Sequence, residues 1–192
     1  MLSAFILVLY DSGARIGEML NLKLKNIEFT PHGAKVLLDG KTGRRRILIV
    51  PSVRALAAWI NTEHPMPDNP DAYVWVNKYG HGESPINYCY VFNHLKSVAK
   101  LAGINKRVYP HLFRHSRATY LASHLTEAQM KHYFGWTQAS DMAAVYVHMS
   151  GRDVDDALYR LYGIDEDPKH KPRDFIECAD IIAITEKKLL HH

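Results

Sequence analysis

Apolar residues fill the start of the chain almost without a break, from Met1 to Tyr10, until Asp11-Ser12-Gly13 interrupts them. A run that is apolar on every side reads as a buried core helix over residues 2–10, with Gly13 as its stop. A second helix is expected from Ala14 to about Leu22, on which Arg15 and Glu18 share a face. The period then shortens. Residues 26–30, 34–39 and 44–50 are β-like runs punctuated by Pro31-His32-Gly33 and Gly40-Lys41-Thr42-Gly43, which predicts a small antiparallel sheet. Ser52 is expected to cap a helix through about Asn61, and His64 to Pro70 can only be a loop.

Residues 72–76 form a candidate short strand, and 77–84 are a polar, glycine-containing loop. Pro85 is expected to open a long helix to about Ala102 that stops at Gly103. The next helix holds His111 to about Ser123. Thr126 and Ser140 are expected N-caps of two more helices, the second carrying Tyr146 near its end. A last helix spans residues 152–162, where Val154, Ala157, Leu158 and Leu161 make an apolar stripe that its own core or a neighbouring subunit must cover. Residues 165–171 are charged and proline-bounded. The pattern predicts a mainly α fold with a small antiparallel β-sheet (α+β), a single domain over 1–163, and a charged linker and C-terminal tail over 164–192. No internal repeat is evident.

With 192 residues the chain has enough length for one sizeable core. No apolar run approaches the ~20 residues of a membrane span. The opening segment has neither a basic leader nor a small-residue cleavage site, so it reads as core helix and not as a signal peptide. Cys89 and Cys178 are too few and too far apart for a disulfide framework or a four-ligand zinc site, which fits a reducing, cytoplasmic setting. The net charge of +4 hides an asymmetry: residues 1–150 hold 17 Lys/Arg against 10 Asp/Glu, a surplus of +7, while residues 151–192 hold 7 against 10, or −3. A basic region that contains every candidate motif suits a polyanion such as DNA.

His111 and Arg114 stand three apart in Pro110-His111-Leu112-Phe113-Arg114-His115-Ser116, hence on one helix face. Trp136 lies 22 residues past Arg114, and Tyr146 a further 10 on. An imidazole, a guanidinium, an indole N–H and a phenol are all useful around one phosphodiester, the phenol as nucleophile and the rest as proton carriers and oxyanion donors. Arg15 completes a phosphate clamp, because a guanidinium donates two parallel hydrogen bonds and stays charged. Singly, each has an ordinary explanation: Arg15 paired with Glu18 or Asp11, His111 as a cap, Trp136 as core filler, Tyr146 as one of eleven tyrosines. Order and spacing together reverse that reading. Lys41, in a β-turn, could reach a scissile phosphate and protonate a leaving alkoxide. Arg44, Arg45 and Arg46 beside it read as DNA-backbone contacts or solvated charges.

Taken in order, Ala14-Arg15-Ile16-Gly17-Glu18, the Gly40-Lys41 turn, His111-x-x-Arg114-His115-Ser116-x-Ala118-Thr119, Gly135-Trp136 and Tyr146-x-His148 resemble the catalytic domain of the tyrosine recombinase (phage integrase) family over about residues 2–162. Residues 149–154 look more like archaeal members or their viruses than the bacterial Xer group. The resemblance implies the DNA breaking-rejoining catalytic fold and site-specific strand exchange through a covalent 3′-phosphotyrosyl intermediate, with no metal and no high-energy cofactor. Tyr146 would be the nucleophile, Arg15 and Arg114 would hold the non-bridging oxygens, and Trp136 would donate from its indole. His111 would assist proton transfer, Lys41 would protonate the 5′-oxygen, and Glu18 would support Arg15. Arg44, Arg45, Arg46, His115 and Arg117 are the expected further DNA contacts.

The implied partner is double-stranded DNA at a specific site, with a homotetramer on DNA, a monomer or weak dimer when free, and residence at the nucleoid. Many members carry histidine where Trp136 stands, and tryptophan is an accepted alternative. The family's N-terminal DNA-clamping domain is expected to be absent, because the motifs begin almost at Met1. The same residues leave two other readings open, a type IB topoisomerase that relaxes supercoils and a DNA-binding remnant that no longer cuts.

Overall fold

The computed structural model describes residues 1–77, 84–149 and 161–162. The helix expected over 152–162 and the linker and tail over 164–192 therefore lie outside the described residues, apart from the last two positions of that helix.

Helix α1 (Leu2–Ser12) buries Leu2, Ala4, Phe5, Ile6, Val8 and Leu9, as an all-round apolar sequence must. It ends where Gly13 turns left-handed (φ 55°) and donates its N–H to the Tyr10 carbonyl. A Cβ at Gly13 would come within 2.5 Å of the Phe134 ring, so only glycine lets α1 end this close to the site. Helix α2 (Ile16–Leu20) starts later and ends earlier than the sequence suggests, and Arg15 is its extended N-cap, donating its N–H to Glu18 at 2.8 Å.

Strands β1 (Ile27–Thr30), β2 (Gly33–Gly40) and β3 (Gly43–Ile49) form one antiparallel sheet in sequence order, Gly40 pairing with Gly43 across a two-residue turn of Lys41 and Thr42. Pleating alternates β3: Arg45, Ile47 and Ile49 point inward, and Arg44, Arg46 and Leu48 outward. Helix α3 (Val53–Ala58) follows and passes into one π turn at Trp59–Glu63. Ser52 does not cap it. Its hydroxyl donates instead to Asp11 at 2.8 Å, which also takes the N–H groups of Val50 and Ser52 and so fastens β3 to the end of α1.

Residues 72–76 contribute two isolated bridges, Lys23 with Tyr73 and Val76 with Pro85, instead of a strand. Pro85 is held in that bridge, and helix α4 (Tyr88–Leu101) starts after Asn87, whose side chain accepts from the Tyr90 N–H at 2.7 Å. Helix α5 (Pro110–Ala122) has proline at its first position. Helix α6 (Glu127–Phe134) has the expected cap at Thr126, completed by Gln129. Ahead of α7 (Met142–Met149), Ser140 accepts the Met142 N–H.

The main core gathers α1, the inner face of the sheet, Trp59, Trp75, α4 and Phe113. A second, smaller cluster of Ala118, Ala122, Met130, Phe134, Ala143 and Tyr146 joins α5, α6 and α7. No helix among the described residues is long and apolar enough to cross a membrane.

Between the two clusters Arg45 donates to both oxygens of Glu18 at 2.7 Å and to the Tyr133 carbonyl at 2.9 Å, with both charged side chains about 95% buried. Removing one partner of such a pair strands the other charge in the core. Arg45→Ala is expected to lower unfolding stability by about 3–5 kcal/mol in chemical denaturation, while Arg44→Ala, on the outward face, changes it by less than about 1 kcal/mol.

Candidate active site

Helix α5 supplies the centre of the site, because His111, Arg114 and His115 occupy i, i+3 and i+4 and face one way. Arg114 is buried, at 4% exposure. It donates to the Gly13 carbonyl at 2.8 Å and to the Phe134 carbonyl at 2.6 Å, and it lies over the Phe134 and Trp136 rings. No carboxylate pairs with it directly among the described residues. Burial first, then the charges of Arg15 and Arg45, push its pKa down to about 9. Arg114 is thus still a cation at neutral pH, held beside other cations with only carbonyls on its N–H groups. Such a place favours an anion.

Arg15 is the second, more exposed cation. It donates to Glu18 at 3.1 Å and points a longer contact of 3.4 Å at the Gly135 carbonyl. Glu18 carries the charge balance for this side of the site. Burial alone would raise its pKa, and the Arg45 and Arg15 hydrogen bonds and charges outweigh that and hold it below the ordinary carboxylate value. Gly135 closes α6 in the left-handed conformation (φ 60°), and its carbonyl also takes the Thr42 hydroxyl at 2.8 Å. The β2–β3 turn is therefore docked against the site, with Lys41 exposed at its tip beside Thr42.

Trp136 follows at once and stacks on Phe134 at 4.9 Å and on Tyr146 at 5.6 Å, the latter with planes 2° apart. Tyr146 is 94% buried, and its hydroxyl is hydrogen-bonded to His115 Nδ1. Burial raises the phenol pKa and the Arg114 charge opposes that rise. His111 meets the edge of His115 at 4.6 Å. Its own pKa is lowered by desolvation first, and then by the charges of His115, Arg114 and Arg15.

The structure thus brings Arg15, His111, Arg114, Trp136 and Tyr146 around one place and sets the Lys41 turn beside it. Three of the expected DNA contacts are located otherwise. Arg45 is the buried partner of Glu18. Arg117 donates to Asp11 at 2.8 Å and is stacked between Tyr10 and Tyr120, with 13% of its side chain exposed. His115 is turned to the Tyr146 hydroxyl. The sequence carries a signal for Arg45, which the period of two separates from its neighbours, whereas the contacts of Arg117 with Asp11 and of His115 with Tyr146 join residues 106 and 31 apart and have no local signal. Arg44 and Arg46 are exposed, and Arg44 pairs with Asp39 at 3.0 Å.

The model of the phage integrase family matches residues 1–152. The chain belongs to this family. Among its relatives, a tyrosine recombinase of Thermosipho africanus is 31% identical over 159 residues, covering 81% of this chain and 52% of the relative. The tyrosine recombinase XerD of Mycobacterium tuberculosis is 37% identical over 123 residues, covering 62% and 38%. This integrase-family chain spans about half the length of the curated relatives it matches, or less. Its fold is shared with the XerH site-specific recombinase bound to a palindromic difH substrate in a post-cleavage complex, at a TM-score of 0.64 and 20% identity over 83% of this chain and 45% of that one. It is shared as well with the XerA recombinase, at a TM-score of 0.60 and 23% identity over 89% and 58%.

His111 and His115 both have folded-state pKa values below the ordinary imidazole value. Between each depressed value and ~6.5 the unfolded chain binds more protons than the folded one, so their contribution to stability rises with pH through this window and is lost as pH falls. Thermal unfolding of the DNA-free protein followed from pH 8 to pH 5 is expected to show an acid decline that becomes shallower in the His111→Asn, His115→Asn double variant.

Proposed function

We propose that this chain is the catalytic part of a site-specific DNA recombinase, over residues 1–163, which cuts one strand through Tyr146 and reseals it. The observation that carries this reading is that a buried Arg114, with no carboxylate paired to it among the described residues, and the Tyr146 phenol ring meet at the Trp136 ring. A phosphodiester between Arg114 and Arg15 supplies the missing negative charge. Tyr146 then attacks phosphorus, the two guanidinium groups hold the non-bridging oxygens as charge builds on them, and the Trp136 indole donates to one of them. Lys41, on its docked turn, gives a proton to the departing 5′-oxygen. The phosphotyrosine keeps the energy of the broken bond, so resealing is the same path in reverse.

The relatives named tyrosine recombinases and the XerH structure with its difH substrate support double-stranded DNA as the partner. Exposed cations support it too: Arg46 on the outward face of β3, and Lys96, Lys100, Lys106 and Arg107 lining a groove with Phe92 between α4 and the start of α5. Neutralising phosphates with such residues releases counterions and makes binding strongly salt-dependent. Exchange between two duplexes requires one nucleophile for each cut strand, which fits four copies assembled on DNA at the nucleoid.

The test is incubation with nicked duplexes that tile the DNA flanking the gene, followed by denaturing electrophoresis and peptide mapping. A 3′-linked adduct at Tyr146 is expected. Tyr146→Phe is expected to abolish it while DNA affinity is retained, and Arg114→Ala to reduce the cleavage rate about 10²–10³-fold. A protein that binds its site tightly and leaves no adduct on any duplex refutes the reading.

A further inference from the structure

The Tyr146 proton has to leave as the phenol oxygen attacks phosphorus, and the family resemblance implies no more than that His111 assists proton transfer. In the structure the ring that touches the phenol is His115. Its Nδ1 and the Tyr146 hydroxyl are hydrogen-bonded, with ring centroids 5.9 Å apart and planes tilted by 44°. His111 stands one helical turn away, exposed, with its edge against His115.

We propose that His115 is the general base of strand cleavage, its Nδ1 taking the Tyr146 hydroxyl proton during attack and returning it when the strand is resealed. The inference rests on the strand-cleavage reading above. In the cleavage step the phenol O–H bond breaks and an Nδ1–H bond forms. The bond from the phenol oxygen to phosphorus forms as the bond from phosphorus to the 5′-oxygen breaks, and that oxygen receives a proton from Lys41. His115 ends as a cation, Lys41 as a neutral amine and the phosphate on Tyr146. No oxidant, reductant or cofactor enters.

The surroundings suit this role. For Nδ1 to accept, the ring must be neutral with its proton on Nε2. The titratable and charged groups around it are His111 and Arg114 on its own helix, Tyr146 on α7, and Arg15 beyond His111. The segment after α6 presents Trp136, which is uncharged. Burial first and the Arg114 charge second hold His115 below the ordinary imidazole value, so the ring is neutral at pH 7. The cation formed during attack would be repelled by Arg114 alone. A phosphate bound to Arg114 and Arg15 supplies the charge that offsets this, which ties proton transfer to the presence of DNA.

The test uses the full chain and the nicked duplexes above, prepared with either oxygen or sulfur as the bridging 5′-atom. A sulfur leaving group needs no protonation, so it rescues loss of the acid and not loss of the base. His115→Asn retains an acceptor near the position of Nδ1 that cannot take up the proton. It is expected to bind DNA as the wild type does, which shows that it is folded, and to cleave about 10²–10⁴-fold more slowly on both duplexes. Lys41→Ala should recover on the sulfur duplex. In the DNA-free protein, ¹⁵N shifts are expected to show His115 neutral and protonated on Nε2, and Tyr146→Phe should raise the His115 pKa, because the phenol O–H no longer favours the neutral ring. Wild-type cleavage by His115→Asn, its recovery on the sulfur duplex, or a proton on Nδ1 in the free protein each overturns the assignment. A wild-type chain that forms no Tyr146 adduct overturns the strand-cleavage reading and the proton transfer with it, whereas failure of the base alone leaves a cleaving wild type beside an equally active variant.

Discussion

Glu18 and Arg45 meet through two hydrogen bonds of 2.7 Å where water hardly reaches, and the placement of nearly every charged group of the site follows from that contact. Glu18 takes the Arg15 backbone N–H and guanidinium, so it fixes both the start of α2 and the direction of the clamp arginine. Arg45 reaches from the sheet to the Tyr133 carbonyl near the end of α6, two residues before Gly135. One carboxylate thereby joins three elements that carry separate parts of the site. A buried ion pair is weak evidence for stability as such. Here its effect is on position, because neither side chain can move without leaving the other's charge in the core.

Asp11 does the same on the far side, joining the end of α1 to β3, to Ser52 and to Arg117 of α5. The two carboxylates frame Arg114 without touching it. Arg114 is left with carbonyls and aromatic faces on its own groups, in a field made more positive by Arg15 and Arg45 and only partly offset by the Glu18 charge. The arrangement stores electrostatic cost in the free protein that an anion bound there would remove, and it does so with groups already in place. Preorganised charge of this kind stabilises a developing oxyanion with little further rearrangement.

Much of this was legible in the sequence. The long apolar start, the change of period at Asn26, the α5 spacing of His111 and Arg114 and the Thr126 cap each depend on local rules, and each is found where those rules put it. Failures came where a tertiary partner outbid a local one. Ser52 gives its hydroxyl to Asp11 instead of to its own helix, Pro85 is held by Val76, and Arg45 leaves its basic neighbours for Glu18. A run of three arginines read as one patch was divided by the pleat, two outward and one inward. The contact of His115 with Tyr146 links residues 31 apart and needs α7 folded back on α5, which no local pattern reveals.

The place of Tyr146 in the packing bears on how the proposed reaction would run. Tyr146 belongs to the smaller cluster of α5, α6 and α7, not to the main core around α1 and the sheet. Arg15, Arg45 and the Lys41 turn are carried by elements rooted in the main core, whereas among the described residues α7 packs in the smaller cluster with Ala118, Ala122, Met130, Phe134 and the Trp136 ring. Segments with few buried apolar contacts open at lower free energy than the core to which they attach. On the proposed reading, Arg15 would sit with the main core, Tyr146 with the smaller cluster, and Arg114 on the helix that joins the two. In the proposed reaction a phosphotyrosine would have to form, persist while strands exchange and then be attacked by a different 5′-hydroxyl, and this division would let the anion stay held while the helix that carries the covalent link adjusts.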